Sequence, residues 1–125
     1  ITLMVVDPYR LFVFWDADRK DVDNVVHNGE GYRTVIRVYI FEGDNEAGYF
    51  DIRADHLSDE IYLDVIPDRG YMVEFGVIKG EQFTSLASSR RKFTPVFGID
   101  NEDLSYEAFE MMIKHLPNGE NRLSS

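Results

Sequence analysis

The sequence predicts a mainly β domain: an immunoglobulin-like antiparallel β-sandwich of about seven strands with one C-terminal helix. Three observations predict it. Nine Phe, seven Tyr and one Trp are concentrated in short stretches rich in Val and Ile, residues that fit a pleated, half-buried surface. Those stretches are separated by Gly, Pro, Asp and Asn, so turns recur at short intervals. One segment, 104–116, repeats its apolar residues at helical spacing instead. Many short strands with frequent turns are the pattern of a two-sheet sandwich, and a partly open barrel is the alternative.

Strands are expected at 2–6, 11–16, 33–41, 49–53, 60–66, 71–78 and 82–87, with a short extended piece at 93–96. Asp7-Pro8 ends the first, because Pro8 offers no N–H to a ladder. Residues 42–48 read as a longer polar hairpin loop with two glycines. Pro67-Asp68-Arg69-Gly70 reads as a tight turn, in which Pro presets φ and Gly supplies the left-handed exit. Lys79-Gly80-Glu81 reads as a third. Three hairpins make the sheet mainly antiparallel.

Alternation sets the faces. In the third strand Ile36, Val38 and Ile40 are expected in the core, with Val35, Arg37, Tyr39 and Phe41 on a partly wet face. In the fifth, Ile61, Leu63 and Val65 are expected inward, and Tyr62 and Asp64 outward. In the fourth, Phe50 and Ile52 oppose Asp51 and Arg53. The run 11–15 has no alternation, which predicts a central strand covered on both faces, with Trp15 in the core.

Two segments do not read as strands. Residues 16–32 form a long polar connection, with one short helical turn over 21–26. Leu104, Ala108, Phe109, Met112, Ile113 and Leu116 line one face of a helix, which Asp100 or Asp103 can cap. Lys114 and His115 suit its negative end, and Pro117 and Gly119 stop it. The expected organisation is a sandwich over 1–99, a helix over 100–117 packed on it and a flexible tail over 118–125. The helix stripe is too wide to face water, so its own sandwich or a second copy must cover it.

The whole chain has 125 residues and 14.5 kDa, the size of one domain. Its 44% hydrophobic and 29% charged residues are globular proportions. The formal charge is −10 and the sequence pI about 4.6, so whole-molecule attraction to nucleic acid or to an anionic membrane is disfavoured. With no Cys, disulfides, thiolate catalysis and cysteine zinc sites are excluded. No apolar run approaches the roughly 20 residues of a membrane span, and no signal peptide is visible. A soluble, cytoplasmic protein is expected, and a start at Ile1 fits a domain excised from a longer chain.

Several stretches carry a family resemblance. Met4-Val5-Val6-Asp7-Pro8-Tyr9, Leu11-Phe12-Val13-Phe14-Trp15-Asp16 and Arg37-Val38-Tyr39 resemble the opening of the bacterial family catalogued as domain of unknown function 4912. Tyr71-Met72-Val73-Glu74-Phe75-Gly76 is similar to its strand ending Glu-Leu-Gly. Phe83 to Ser89, followed by Thr94-Pro95, resembles its closing Arg-Ser-Asn-x-Val-x-Thr-Pro stretch, with Arg90 and Lys92 where the family has Asn and Val. The resemblance spans about residues 3–96. It implies a compact β domain with no assigned activity, in a family that accompanies α-glucan branching proteins in some bacteria.

No constellation of residues points to catalysis. Asp16, Asp18, Asp21 and Asp23 alternate as calcium ligands do, but the Gly and closing Glu of an EF-hand loop are missing and Arg19 and Lys20 offset the charge. Glu74 and Asp64, read as lying on neighbouring strands, are a nominal carboxylate pair with nothing to single them out. His27, His56 and His115 are scattered, no G-x-S-x-G occurs, and Gly76 to Gly80 precedes no helix. The expectation is a non-catalytic protein-interaction or scaffolding module with no cofactor and no metal; the alternative is a carbohydrate-binding module for α-glucan. Tyr39, Phe41, Tyr62 and Arg37 are the candidate ligand-binding residues, outward aromatics that can stack on a ligand. Arg90, Arg91 and Lys92 are the candidate anion-binding run. The expected partner is a protein or a polysaccharide, and the expected state a monomer or weak homodimer.

Overall fold

The computed structural model describes residues 1–27 and 31–96; the helix expected over 104–116 and the tail over 118–125 lie outside the described residues. Eight strands and one helix follow in the order β1 (Thr2–Asp7), β2 (Arg10–Asp16), α1 (Arg19–Val26), β3 (Tyr32–Glu42), β4 (Asn45–Arg53), β5 (Ser58–Asp64), β6 (Gly70–Lys79), β7 (Gln82–Ser88) and β8 (Lys92–Phe93). They form two antiparallel sheets, a three-stranded one ordered β1-β2-β5 and a five-stranded one ordered β4-β3-β6-β7, in which β8 also pairs with β6.

The inner faces share one core. Leu3, Val5, Leu11, Val13, Trp15 and Leu63 of the smaller sheet cluster with Ile36, Val38, Tyr71, Val73, Phe75 and Val77 of the larger. Burying a side chain of this size contributes about 1.5–3 kcal/mol each, which is what holds the two layers together. β2 is the central strand of its sheet, and Leu11, Phe12, Val13 and Trp15 are all buried, as the absence of alternation predicts. The Trp15 indole N–H donates to the His56 carbonyl at 3.0 Å.

Short hairpins fix three registers. Pro8-Tyr9 joins β1 to β2, Gly43-Asp44 joins β3 to β4, and Gly80-Glu81 joins β6 to β7. The expected long loop over 42–48 is thus a two-residue turn: Glu42 pairs with Asn45, and the polar residues continue as the edge strand β4. The turn at 67–70 is not a hairpin, because β5 and β6 belong to different sheets and the chain crosses the sandwich there. The polar connection after β2 forms a fuller helix than one turn. Asp18 caps α1 by accepting from Lys20 N–H, His27 closes it in the left-handed region, and Val22 and Val26 enter the core.

Thr94 and Pro95 lock the crossing turn. The buried Thr94 hydroxyl donates to the Ile66 carbonyl at 2.8 Å and accepts from Arg69 N–H at 3.1 Å. The Thr94 N–H donates to Arg69 O at 2.8 Å, and Asp68 N–H, on a residue with positive φ, donates to Pro95 O at 3.2 Å. Thr94→Val keeps the shape and removes the hydroxyl, leaving part-buried backbone groups of Ile66 and Arg69 without that partner. It is expected to cost about 1–3 kcal/mol in chemical denaturation; an unchanged midpoint would show that the turn holds itself.

Four residues depart from the expected burial. Ile40 and Val65 are half-buried rather than sealed, while Val35 and Phe41, assigned to the wet face, are buried. At Phe41 the cause is cover from the end of the larger sheet: the Arg91 guanidinium carbon lies 3.8 Å from the ring centroid, and Phe41 pairs with Gly70, where the Phe93 ring fills the space a side chain would take. Val35 pairs with Gly76, which has no side chain to hold neighbours away.

Candidate functional site

The outer face of the five-stranded sheet carries a row of four residues, one per strand. Asp51 of β4 pairs with Arg37 of β3, Arg37 with Glu74 of β6, and Glu74 with Ser88 of β7. Residues directly opposite in antiparallel strands share a face, so the β3–β4 and β6–β7 hairpins together with the long-range β3–β6 pairing set this row.

Arg37 is its centre. Nε donates to Asp51 Oδ1 at 2.8 Å and Nη2 to Oδ2 at 3.1 Å, a bidentate pair. The guanidinium carbon lies 4.1 Å from the Tyr49 ring centroid and 4.0 Å from that of Phe83, so an aromatic ring flanks it from β4 and from β7. The bond to Asp51 raises the Arg37 pKa further above its ordinary value, against the effect of burial.

The neighbouring rows complete the face. The Tyr39 hydroxyl donates to Glu74 Oε1 and the Ser88 hydroxyl to Oε2, both at 2.7 Å. Burial, the bond to Glu74 and the carboxylate charge push the Tyr39 phenol up to about 12. Burial by itself would raise the Glu74 carboxyl, but hydrogen bonds from Tyr39, Ser88 and Ser85, aided by Arg37, outweigh it and hold Glu74 below the usual carboxylate range. Tyr39 and Tyr49 rings lie 5.9 Å apart, and Tyr49 is 53% exposed. Phe83 reaches this place because Gly76 leaves room: a Cβ there would stand 2.5 Å from the Phe83 ring and from the Thr84 carbonyl oxygen.

Glu74→Gln tests the carboxylate. The folded pKa is depressed, so the charge stabilises the fold above about pH 4.5 and that contribution is lost as pH falls through the lower folded value. The stability gap between wild type and Glu74→Gln should be widest near neutral pH and shrink in acid. Urea titrations at neutral pH and at about pH 3 read this; a gap that does not change with pH would mean the charge contributes nothing.

The sequence-chosen residues divide. Arg37 and Tyr39 belong to this face. Phe41 is 5% exposed, sealed beneath Arg91. Tyr62 sits on β5 of the other sheet, with its ring 5.1 Å from Phe12 and 5.5 Å from the Arg10 guanidinium carbon, so Tyr39, Phe41 and Tyr62 do not form one exposed strip. Glu74 and Asp64 are on different sheets and are not on neighbouring strands. Of the basic run, Arg91 turns to Phe41 and approaches Asp44 at 3.9 Å, while Arg90 and Lys92 line a cleft with residues 1–4. Tyr49, Asp51, Phe83 and Ser88 were not singled out in the sequence. Their signal is register: a two-residue turn at 43–44 and another at 80–81 place them beside Arg37 and Glu74.

These features define a class: a mainly β, two-sheet sandwich domain with a polar-aromatic sheet face. The profile described as "Domain of unknown function (DUF4912)" matches residues 1–103, and the chain belongs to that family. A search of curated proteins finds no match.

Proposed function

We propose that the domain is a non-catalytic interaction module that binds through the outer face of its five-stranded sheet. One observation carries this reading: Arg37 is fixed by Asp51 and flanked by Tyr49 and Phe83, with Tyr49 largely open to solvent. An Arg and aromatic rings held rigidly on a surface are what binding hot spots are made of, because little side-chain entropy remains to be lost. The chemistry of Glu74 supports a binding role over a catalytic one: a carboxylate already saturated by hydroxyl donors is a weak base.

The partner fitted best is a protein. The test is a pull-down with the immobilised domain, compared with Tyr49→Ala and Arg37→Ala. The wild type should retain a partner and both variants should lose it while keeping a cooperative melt; equal capture by all three would overturn this surface. A second reading, binding of an α-glucan, is favoured by the proximity of the exposed Tyr49 ring to Tyr39, Asp51 and Glu74, a stacking face beside hydrogen-bonding groups. Affinity electrophoresis in glycogen or amylose should then retard the wild type and not Tyr49→Ala, and no retardation of the wild type would remove this reading.

The strand order supports an immunoglobulin-like reading of the sandwich. β1-β2-β5 corresponds to strands A, B and E, and β4-β3-β6-β7 to C′, C, F and G. The buried Trp15 then lies on the second strand, not on the third as in antibody domains.

A further inference from the structure

A concave feature lies away from the Arg37 face, where an edge of one sheet meets an edge of the other. It is a cleft of about 410 Å³, with residues 1–4 on one wall and Ser88, Ser89, Arg90 and Lys92 on the other. β1 is an edge strand of the smaller sheet. On the larger sheet the edge is interrupted, because β7 ends at Ser88 and β8 begins at Lys92.

Ser89 fixes the shape of that interruption. Its N–H donates to the Val73 carbonyl at 2.8 Å, its hydroxyl accepts from the Val73 N–H at 3.0 Å and donates to the Arg90 carbonyl at 2.9 Å. The chain is thus pinned to β6 immediately before the basic run. The three cations then part. Arg91 is spent on Phe41 and Asp44, and Arg90 and Lys92 go to the cleft.

Among the described residues no acidic one lines this cleft, although the chain carries 23 acids and a formal charge of −10. Among the described residues, none of the ion pairs involves Arg90 or Lys92. Two cations without a counter-charge on one wall of a concave site favour an anion. Thr2, Ser88 and Ser89 add polar groups at the lining, and Ile1 and Met4 an apolar wall. The volume is in the range of small-molecule sites, about 300–1,000 Å³.

We propose that this cleft binds a small organic anion, holding its phosphate or carboxylate group on Arg90 and Lys92. This site is separate from the Arg37 face, and its ligand need not be the partner of that face.

Calorimetric titration of the full 125-residue chain at low ionic strength tests it, with pyrophosphate as the phosphate probe and citrate as the carboxylate probe. Saturable binding of at least one is expected, and which one binds distinguishes the two chemistries. The double variant Arg90→Gln/Lys92→Gln should weaken binding at least about tenfold, the scale of losing charged hydrogen bonds. Arg91→Gln, whose side chain faces elsewhere, should bind as the wild type does. Circular-dichroism melts establish that all three are folded. No saturable binding of either probe would overturn the proposal. So would undiminished binding by the double variant, or an equal loss in Arg91→Gln, which would mean diffuse attraction to the basic run.

Discussion

Trp15→Ala should remove about 3–5 kcal/mol of folding stability, the usual cost of deleting a large aromatic from a packed core. Trp15 is 4% exposed and stands on the inner face of β2, in the cluster that joins both sheets. Its loss leaves a cavity and also leaves the His56 carbonyl without the indole donor. Against a total stability of about 5–15 kcal/mol, that is a large fraction. Guanidinium denaturation followed by far-ultraviolet circular dichroism measures it. A cost below about 1 kcal/mol, far under the range for such truncations, would show that Trp15 is not a keystone of the core.

Leu63→Ala is expected to cost about 2–5 kcal/mol, and it tests the register of β5. Leu63 is the buried residue of that strand and pairs with Leu11. Ile61 lies two residues away on the same face but is only partly buried, so Ile61→Ala should cost less than Leu63→Ala. Both follow from β5 being an edge strand that the core covers only in part: Leu63, opposite Leu11, is sealed, while Ile61, opposite Val13, is packed against the core but still partly open. The same denaturation experiment, run on both variants, reads the order. Equal costs, or a larger one for Ile61→Ala, would place the inner contact of β5 elsewhere.

Much of the sandwich is legible in local patterns. Alternation around Ile36 and Val38 puts both in the core, and the unbroken run at 11–15 gives a central strand. Those patterns work because a pleated strand turns alternate side chains to opposite faces. They fail where a distant part of the chain covers an outward residue. The Arg91 guanidinium over Phe41, with the Phe93 ring against the facing Gly70, buries a ring that alternation assigns to a wet face. The acids of 16–24 read as a polar connection because six of nine residues are charged; the two turns of α1 depend on only Val22 and Val26 meeting the core.

The candidate site was half legible. Arg37 and Tyr39 stand out as outward polar and aromatic residues on one strand. Asp51, Glu74 and Ser88 acquire meaning only beside them, and that neighbourhood spans 52 residues of chain from Arg37 to Ser88. A shift of one residue in any of the three pairings would turn the residues beyond it to the other side of the sheet and break the row. Tyr62 shows the same limit from the other direction: it has the right residue type and an outward position, but β5 joins the smaller sheet.

The sequence by itself determined the strands, most of the core and which stretches resemble the family to which the chain belongs. These follow from local periodicity and turn chemistry, which act within a few residues. Only the tertiary structure decided which strands share a sheet, and therefore that Arg37 is flanked by Tyr49 and Phe83 and that Arg90 and Lys92 part from Arg91. Sheet membership depends on long-range pairing, selected by how the two inner faces pack on each other, and no window of neighbouring residues contains that choice.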